Sequence, residues 1–188
     1  MSRLSALSID ALPDDLKATM MAGENIMGFT PNDGLIMARA PEMLNAFLGL
    51  VQSIYQPSAL DNDLKKLLGL MTSSASGCQY CQAHTQYGAL KHGITEQKIA
   101  AIWEYQTSDL FSPAEREALD VARNAALVPN AVTDEQFERL KSHFSEVQIV
   151  EIVGVISLFG FLNRWNATFK TDIEAAPAMA SAKFTSVV

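Results

Sequence analysis

The sequence predicts an all-α fold, and two observations carry that prediction. Apolar residues recur at helical spacing in most segments, and no stretch alternates apolar and polar residues as a half-buried strand does. Helix starts in which a Ser or Thr and a Glu or Gln three residues later cap each other recur along the chain. They are Ser112 with Glu115, Thr133 with Gln136 and Ser145 with Gln148.

Length and composition indicate one domain. The chain has 188 residues, which suits a single helical domain over 1–188 with a core at 15–170, an N-terminal arm at 1–12 and a C-terminal tail at 172–188. It is 48% apolar and only 19% charged, so we expect part of the apolar surface to lie between subunits.

The charge and the apolar segments of the chain argue against two classes of partner, nucleic acid and membranes. The net charge is −7 and the basic residues are scattered, which argues against nucleic acid, whose binding depends on phosphate contacts. The longest apolar run, Ile149 to Leu162, is interrupted by Glu151 and is shorter than a bilayer span, and the N-terminus lacks the apolar region of a secretory signal. We expect no membrane partner and a cytoplasmic location.

The first half of the chain is predicted to form four helices. Pro13 and the acidic pair after it open a helix that reaches Gly28, since acids suit the positive end of the helix dipole. A short helix covers 35–39, and Pro41 opens a third that runs to Tyr55. The fourth covers 61–75 with a buried stripe of leucines and a methionine.

The second half is predicted to form five more helices. A helix from Cys78 to Lys91 stops at Gly93, which suits a left-handed cap, and a shorter one follows Thr95. The three capped starts open helices to about 127, 143 and 166. The last of these is apolar nearly all round, so we expect it to be buried beside the cysteine helix. The Ala-rich stretch from Asp172, broken by proline, suggests a tail that packs on a neighbour or is disordered.

The two cysteines of the chain, Cys78 and Cys81, stand in a C-x-x-C motif, and His84 follows at i+3 on the same helical face. Cys78 lies at the predicted helix start, where free amides and the dipole favour a thiolate. Helical spacing also lets the pair close a disulfide. The motif therefore favours a thiol redox site in a reducing compartment.

Two other interpretations of the motif stay open. Cys78, Cys81 and His84 could hold a metal, but neither His92 nor His143 stands at the spacing of a fourth ligand. The cysteines could also be buried structural residues. We expect no metal and no other cofactor.

Residues 77–85, together with Gly88 and His92-Gly93-Ile94, resemble the alkylhydroperoxidase D-like core of the carboxymuconolactone decarboxylase superfamily, and in particular its peroxidase-related branch. The stretches 101–104, 111–116 and 161–166 are similar to that branch too. The resemblance covers roughly residues 15–170. It implies a compact orthogonal bundle with the C-x-x-C at the start of a central helix, in a homodimer, homotrimer or homohexamer.

The resemblance also implies an activity. A dithiol reduces an alkyl hydroperoxide, passes through a sulfenic acid and ends as a disulfide, which a thiol or dithiol reductant restores. Cys78 and Cys81 match the two active cysteines of the family. The helix-start argument favours Cys78 as the first to meet peroxide, whereas the family's pocket favours Cys81, so both remain candidates.

The chain departs from the better-known enzymes at their proton relay. Their Glu, twelve residues before the first cysteine, and their His, four after the second, correspond to Lys66 and Thr85. We hypothesise that His84 serves instead as general base or thiolate stabiliser, with hydroxyls from Tyr80 and Thr85 and with Lys66 as a further relay or pocket residue.

Two alternative functions remain. The superfamily name suggests a lyase that decarboxylates a lactone acid, although such members generally lack the cysteine pair. A non-catalytic, redox-sensing oligomer that uses the pair as a switch is the other.

Overall fold

The computed structural model describes residues 1–184, apart from the side chain of Ile26, and confirms the all-α prediction. These residues form ten α-helices and two short 3-10 helices, with no strand among them. The α-helices are α1 (Asp14–Met27), α2 (Asn32–Met37), α3 (Pro41–Tyr55), α4 (Asn62–Ala75), α5 (Gln79–His92), α6 (Glu96–Ala100), α7 (Pro113–Ala125), α8 (Asp134–Lys141), α9 (Glu146–Phe169) and α10 (Ala175–Ala182). The 3-10 helices are Ile9–Ala11 and Ala101–Glu104.

Helix ends follow local chemistry. Ser112, Thr133 and Ser145 each form a complete capping box, as predicted. Gly28 and Gly93 end α1 and α5 in the left-handed conformation, with φ of 89° and 102°. Because glycine has no Cβ, it adopts this conformation without steric cost.

The hairpin of α4 and α5 lies at the centre of the fold, with α9 and α7 packed against α4. Leu67, Leu68 and Met71 of α4 are fully buried, and Leu119 of α7 and Ile152 of α9 cover them. Burial of such an apolar stripe is what holds a helix of this length in place. The core therefore fixes the turn between α4 and α5, which carries the cysteines.

The described parts of both termini are held against the helical core, whereas the tail was predicted to pack on a neighbour or to be disordered. In the N-terminal arm, the Arg3 amide donates to the Phe169 carbonyl at 2.7 Å, and Leu12 is buried. In the tail, α10 packs against α5 of the same chain and buries Pro177 and Ala180. The alanines of this stretch favour a helix, and Pro177 lies in the first turn, where a helix needs no amide hydrogen. Residues 185–188 of the predicted tail lie outside the described residues.

Helix α9 is only partly buried. With 24 residues it is long and apolar enough to cross a membrane by length and composition, although core helices pass the same test and α9 packs on α4 and α5. The apolar helix is therefore longer than the run from Ile149 to Leu162 that was judged too short to span a bilayer. Val147, Val150 and Val153 are exposed along one side of this helix. The expected oligomer and the cytoplasmic location stay predictions.

Candidate active site

The turn that follows α4 places Cys78 at the start of α5. Ser76 ends α4, Gly77 takes a φ of 69°, and Cys78 is the N-cap residue with φ −80° and ψ 102°. In that position the Cys78 sulfur accepts a hydrogen bond from the Cys81 amide at 3.4 Å. Both cysteines are free thiols and almost fully buried, with 4% and 3% of their surface exposed. The predicted place of the motif at a helix start is confirmed.

The two thiols differ in their tendency to ionise. The pKa of Cys78 falls from its ordinary value of 9.0 to about 7, chiefly because the Cys81 thiol donates to its sulfur, and the amides of Cys81 and Tyr80 add to this against the opposing effect of burial. The pKa of Cys81 is raised, first because its proton is held in that bond and then by burial. The pair thus favours one thiolate, on Cys78, beside one protonated thiol.

Asn166 of α9 is the polar neighbour of Cys81. Its Nδ2 atom lies 3.6 Å from the Cys81 sulfur and donates to the Oδ2 atom of Asp33, at the start of α2, at 3.2 Å. The amide can serve both because it carries two hydrogens. Asn166 stands in the last of the family-like stretches, yet neither it nor Asp33 was identified from the sequence, since the contact joins three separate helices.

A second polar cluster centres on Glu174, immediately before α10. Its Oε1 atom accepts from the Tyr80 hydroxyl at 2.9 Å and from the Asn32 amide at 2.5 Å. Its Oε2 atom lies 2.6 Å from Nε2 of His84, whose ring stacks on Tyr80 with centroids 4.0 Å apart. Burial opposes ionisation of Glu174, but the hydrogen bond and charge of His84 and the Asn32 amide outweigh it and lower its pKa.

The structure therefore places the predicted relay residues in different surroundings. His84 is bonded to Glu174, which sequence reasoning had assigned to the tail. The Thr85 hydroxyl donates to the backbone carbonyl of Cys81 at 2.8 Å. The Lys66 ammonium lies over the ring of Tyr55, 4.2 Å from its centroid, and burial lowers its pKa. The roles predicted for these residues remain hypotheses.

A small cavity of about 190 Å³ opens beside Cys78. Its lining comes from the start of α5 and the end of α9, and consists of Gly77, Cys78, Gln79, Tyr80, Asn166, Ala167, Lys170, Thr171 and Ile173. Among residues 1–184, no three His, Cys, Asp or Glu side chains come together in a group able to hold a metal ion. The chemistry offered at this cavity is that of the Cys78 sulfur.

Known proteins are similar to this chain in sequence. The model of the carboxymuconolactone decarboxylase family matches residues 41–124. The uncharacterized protein YdfG of Bacillus subtilis (strain 168) is 31% identical over 129 residues, which are 68% of this chain and 84% of YdfG. The uncharacterized protein YnjA of Escherichia coli (strain K12) is 27% identical over 133 residues, 71% of each chain.

Among solved structures, the debrominase Bmp8 superposes with a TM-score of 0.88 at 35% identity, over 96% of each chain. A peroxidase-related protein from Ralstonia eutropha JMP134, described as an alkylhydroperoxidase AhpD core, superposes with a TM-score of 0.82 at 22% identity, over 94% of each chain, and so shows the fold. The chain therefore belongs to the carboxymuconolactone decarboxylase superfamily and has the alkylhydroperoxidase D-like fold.

Proposed function

We propose that the protein is a thiol-dependent oxidoreductase that reduces alkyl hydroperoxides through a Cys78/Cys81 dithiol–disulfide cycle. One observation carries the proposal: the Cys78 sulfur, with its pKa lowered to about 7, receives hydrogen bonds from Cys81 and lines a cavity. A thiolate is the reactive form of cysteine, and a neighbouring thiol is what converts its first oxidation product into a disulfide.

The reaction proceeds in two balanced steps. The Cys78 thiolate attacks the terminal oxygen of the hydroperoxide, the O–O bond breaks, and the alkoxide leaves and is protonated to an alcohol. Cys78 is then a sulfenic acid. The Cys81 sulfur attacks the Cys78 sulfur, and the hydroxyl group leaves as water with the proton of the Cys81 thiol. A thiol or dithiol reductant of the cell restores the pair by exchange.

Two features support Cys78 as the attacking residue. It is the cysteine with the lowered pKa, and it lines the cavity, whereas burial and the bond to Cys78 raise the pKa of Cys81. We assign His84 a positioning role, since with Glu174 it holds the ring and hydroxyl of Tyr80 against the cavity.

Reductive debromination is a second candidate, favoured by the 35% identity with the debrominase Bmp8 over 96% of both chains. A second structure of Bmp8, in which a cysteine is replaced by alanine, holds 2,3,4-tribromopyrrole. The same dithiol could serve here. The ring carbon gains a proton, the Cys78 sulfur takes the bromine, and the Cys81 sulfur then displaces bromide, so that the products are the debrominated ring, bromide, a proton and the disulfide.

The test is a single turnover of the reduced protein. Addition of one equivalent of cumene hydroperoxide should consume both thiols of each chain and lower its mass by two hydrogens. Cys81→Ser should stop at the sulfenic acid, which dimedone traps, and Cys78→Ser should not react. A parallel reaction with tribromopyrrole, followed by the release of bromide, tests reductive debromination.

Thiols that react with neither compound would overturn both proposals. Oxidation in a single turnover without regeneration by any thiol reductant would favour the redox-sensing alternative. Decarboxylation of carboxymuconolactone by the double Cys→Ser variant would favour the lyase.

A further inference from the structure

We infer that Lys170 supplies the positive charge of the Cys78 cavity and holds the anion that leaves when the substrate bond breaks. The chemical step rests on the proposed function, whereas the placement of the charge does not. Lys170 is the C-cap residue of α9 and lines the same cavity as Cys78.

Elimination among the lining residues leads to Lys170. Three of the nine can carry a charge: Cys78, Tyr80 and Lys170. The Tyr80 hydroxyl donates its proton to Glu174, and burial together with the charges of Asp33 and Glu174 raises its pKa, so it is a poor acid. The Lys170 ammonium has no hydrogen-bond or ion-pair partner within residues 1–184. It is the available cation of this cavity.

The backbone at Lys170 is held in a costly conformation. Its φ of 52° and ψ of 49° are left-handed, and Lys170 is the one residue other than glycine with a positive φ in the described part of the chain. Glycine or asparagine usually occupies such a cap, and side chains with a Cβ are strained there. The amides of Lys170 and Thr171 both donate to the Asn166 carbonyl, which fixes the turn beside the cavity. Strain of this kind often accompanies functional positions.

Two residues of the same wall carry buried polar atoms without a hydrogen-bond partner. Thr171 and Asn166 are 7% and 2% exposed and line the cavity, yet Oγ1 of Thr171 and Oδ1 of Asn166 form no hydrogen bond within residues 1–184. Buried polar atoms normally have a partner. Both atoms have almost no accessible surface, so they mark imperfect packing of this wall and not a contact offered to the substrate.

Nearby carboxylates favour a cation at this cavity. Asp33 lies behind Asn166, and Glu174 lies behind Tyr80, so two negative groups flank the cysteines. Asp172 is engaged with the Ser2 amide. Negative charge that passes from the Cys78 sulfur to the leaving oxygen would be repelled by Asp33 and by Glu174, whose charge His84 partly offsets, unless a further cation opposes it. In the proposed step the alkoxide takes its proton from Lys170, which regains it from water.

Charged and neutral alkylating agents test the placement without any turnover. Iodoacetate is an anion and iodoacetamide is neutral, and both alkylate the Cys78 thiolate. Removal of a nearby unit charge in Lys170→Met should lower the ratio of the iodoacetate rate to the iodoacetamide rate by ~5-fold. Lys170→Arg keeps the charge and should keep the ratio, as should Lys141→Met, which removes an exposed lysine on α8. An unchanged ratio in Lys170→Met overturns the inference.

The reaction itself gives a second reading. Lys170→Met should slow oxidation by cumene hydroperoxide by ~10-fold, because the leaving oxygen loses its stabilising charge. The rate with iodoacetamide should change much less, since iodide is a weakly basic anion that needs neither a proton nor strong charge stabilisation. If the wild-type protein does not react with the hydroperoxide, the proposed function fails while the alkylation ratio still decides the placement of Lys170.

The variant Lys170→Gly distinguishes the loss of the charge from an effect of misfolding. Glycine suits the left-handed backbone, so this variant should melt at or above the temperature of the wild type and still show the lowered ratio. A melting temperature well below wild type together with a normal ratio would mark Lys170 as a structural cap only.

Discussion

The Nε2 atom of His84 lies 2.6 Å from the Oε2 atom of Glu174, a residue 90 positions further along the chain. Both side chains are largely shielded from water, with 18% and 10% exposed. The contact fastens the start of α10 to α5, one helical turn from Cys81. It makes the C-terminal segment part of the candidate active site.

Glu174→Gln should destabilise the protein at neutral pH by about 1–2 kcal/mol, because a buried charge-assisted hydrogen bond is lost. The pKa of Glu174 is lowered below its ordinary 4.5 in the folded protein. Its stabilising effect is therefore fully present above pH 4.5 and is lost as the pH falls through the folded pKa. Urea unfolding at several pH values measures the difference between the two proteins.

The difference in unfolding free energy between Glu174→Gln and the wild type should shrink as the pH falls. Glu138→Gln, at an exposed position of α8, is the matched control and should change stability little at any pH. A difference between Glu174→Gln and wild type that persists unchanged well below pH 4 would contradict the assigned ion pair.

Cys81→Ala should raise the pKa of Cys78 from about 7 toward its ordinary 9.0, since the thiol that donates to the Cys78 sulfur is removed. The pH dependence of thiolate absorbance at 240 nm, or of the iodoacetamide rate, gives the pKa. Cys81→Ser retains a donor and should keep it low. If Cys78 of the Ala variant still ionises near pH 7, the backbone amides alone lower its pKa.

Gly69→Ala should destabilise the fold by about 1–3 kcal/mol, because overpacking a filled core forces its neighbours to move. A Cβ at this position in α4 would clash with the ring of Phe159 in α9. Gly88→Ala in α5 is the control, with nothing within 4 Å of the added carbon, and should gain about 0.5–1 kcal/mol from helix propensity. Thermal unfolding compares them, and equal melting temperatures would mean that α9 does not cross α4 so closely.

Val150→Lys should weaken association between subunits. Val150 is 71% exposed on the apolar side of α9, beside Val147 and Val153, and apolar surface of this kind is typical of an interface. Analytical ultracentrifugation should show an oligomer for the wild type and a smaller species for the variant. Leu110→Lys, on an exposed loop, is the control. A wild-type monomer would refute the predicted homo-oligomer.

The sequence by itself determined where several helices begin, including the helix that carries the cysteines. Ser112, Thr133 and Ser145 start helices as predicted, and Cys78 lies at the N-terminus of α5, because capping depends on residues three or four positions apart. The pKa of Cys78 is lowered, as expected at a helix start, but chiefly by the Cys81 thiol and only secondarily by the backbone amides.

Only the tertiary structure decided which side chains surround the cysteines. Asn166 reaches Cys81 across 85 positions and Glu174 reaches His84 across 90, and Lys170 lines the cavity at the end of α9. Helical periodicity states which face of α9 is apolar but not which residue of α5 it meets, since that depends on how three helices fill one core. The tail was expected to pack on a neighbour or to be disordered because a proline interrupts it, but Pro177 lies in the first turn of α10, and this helix packs against α5 of the same chain.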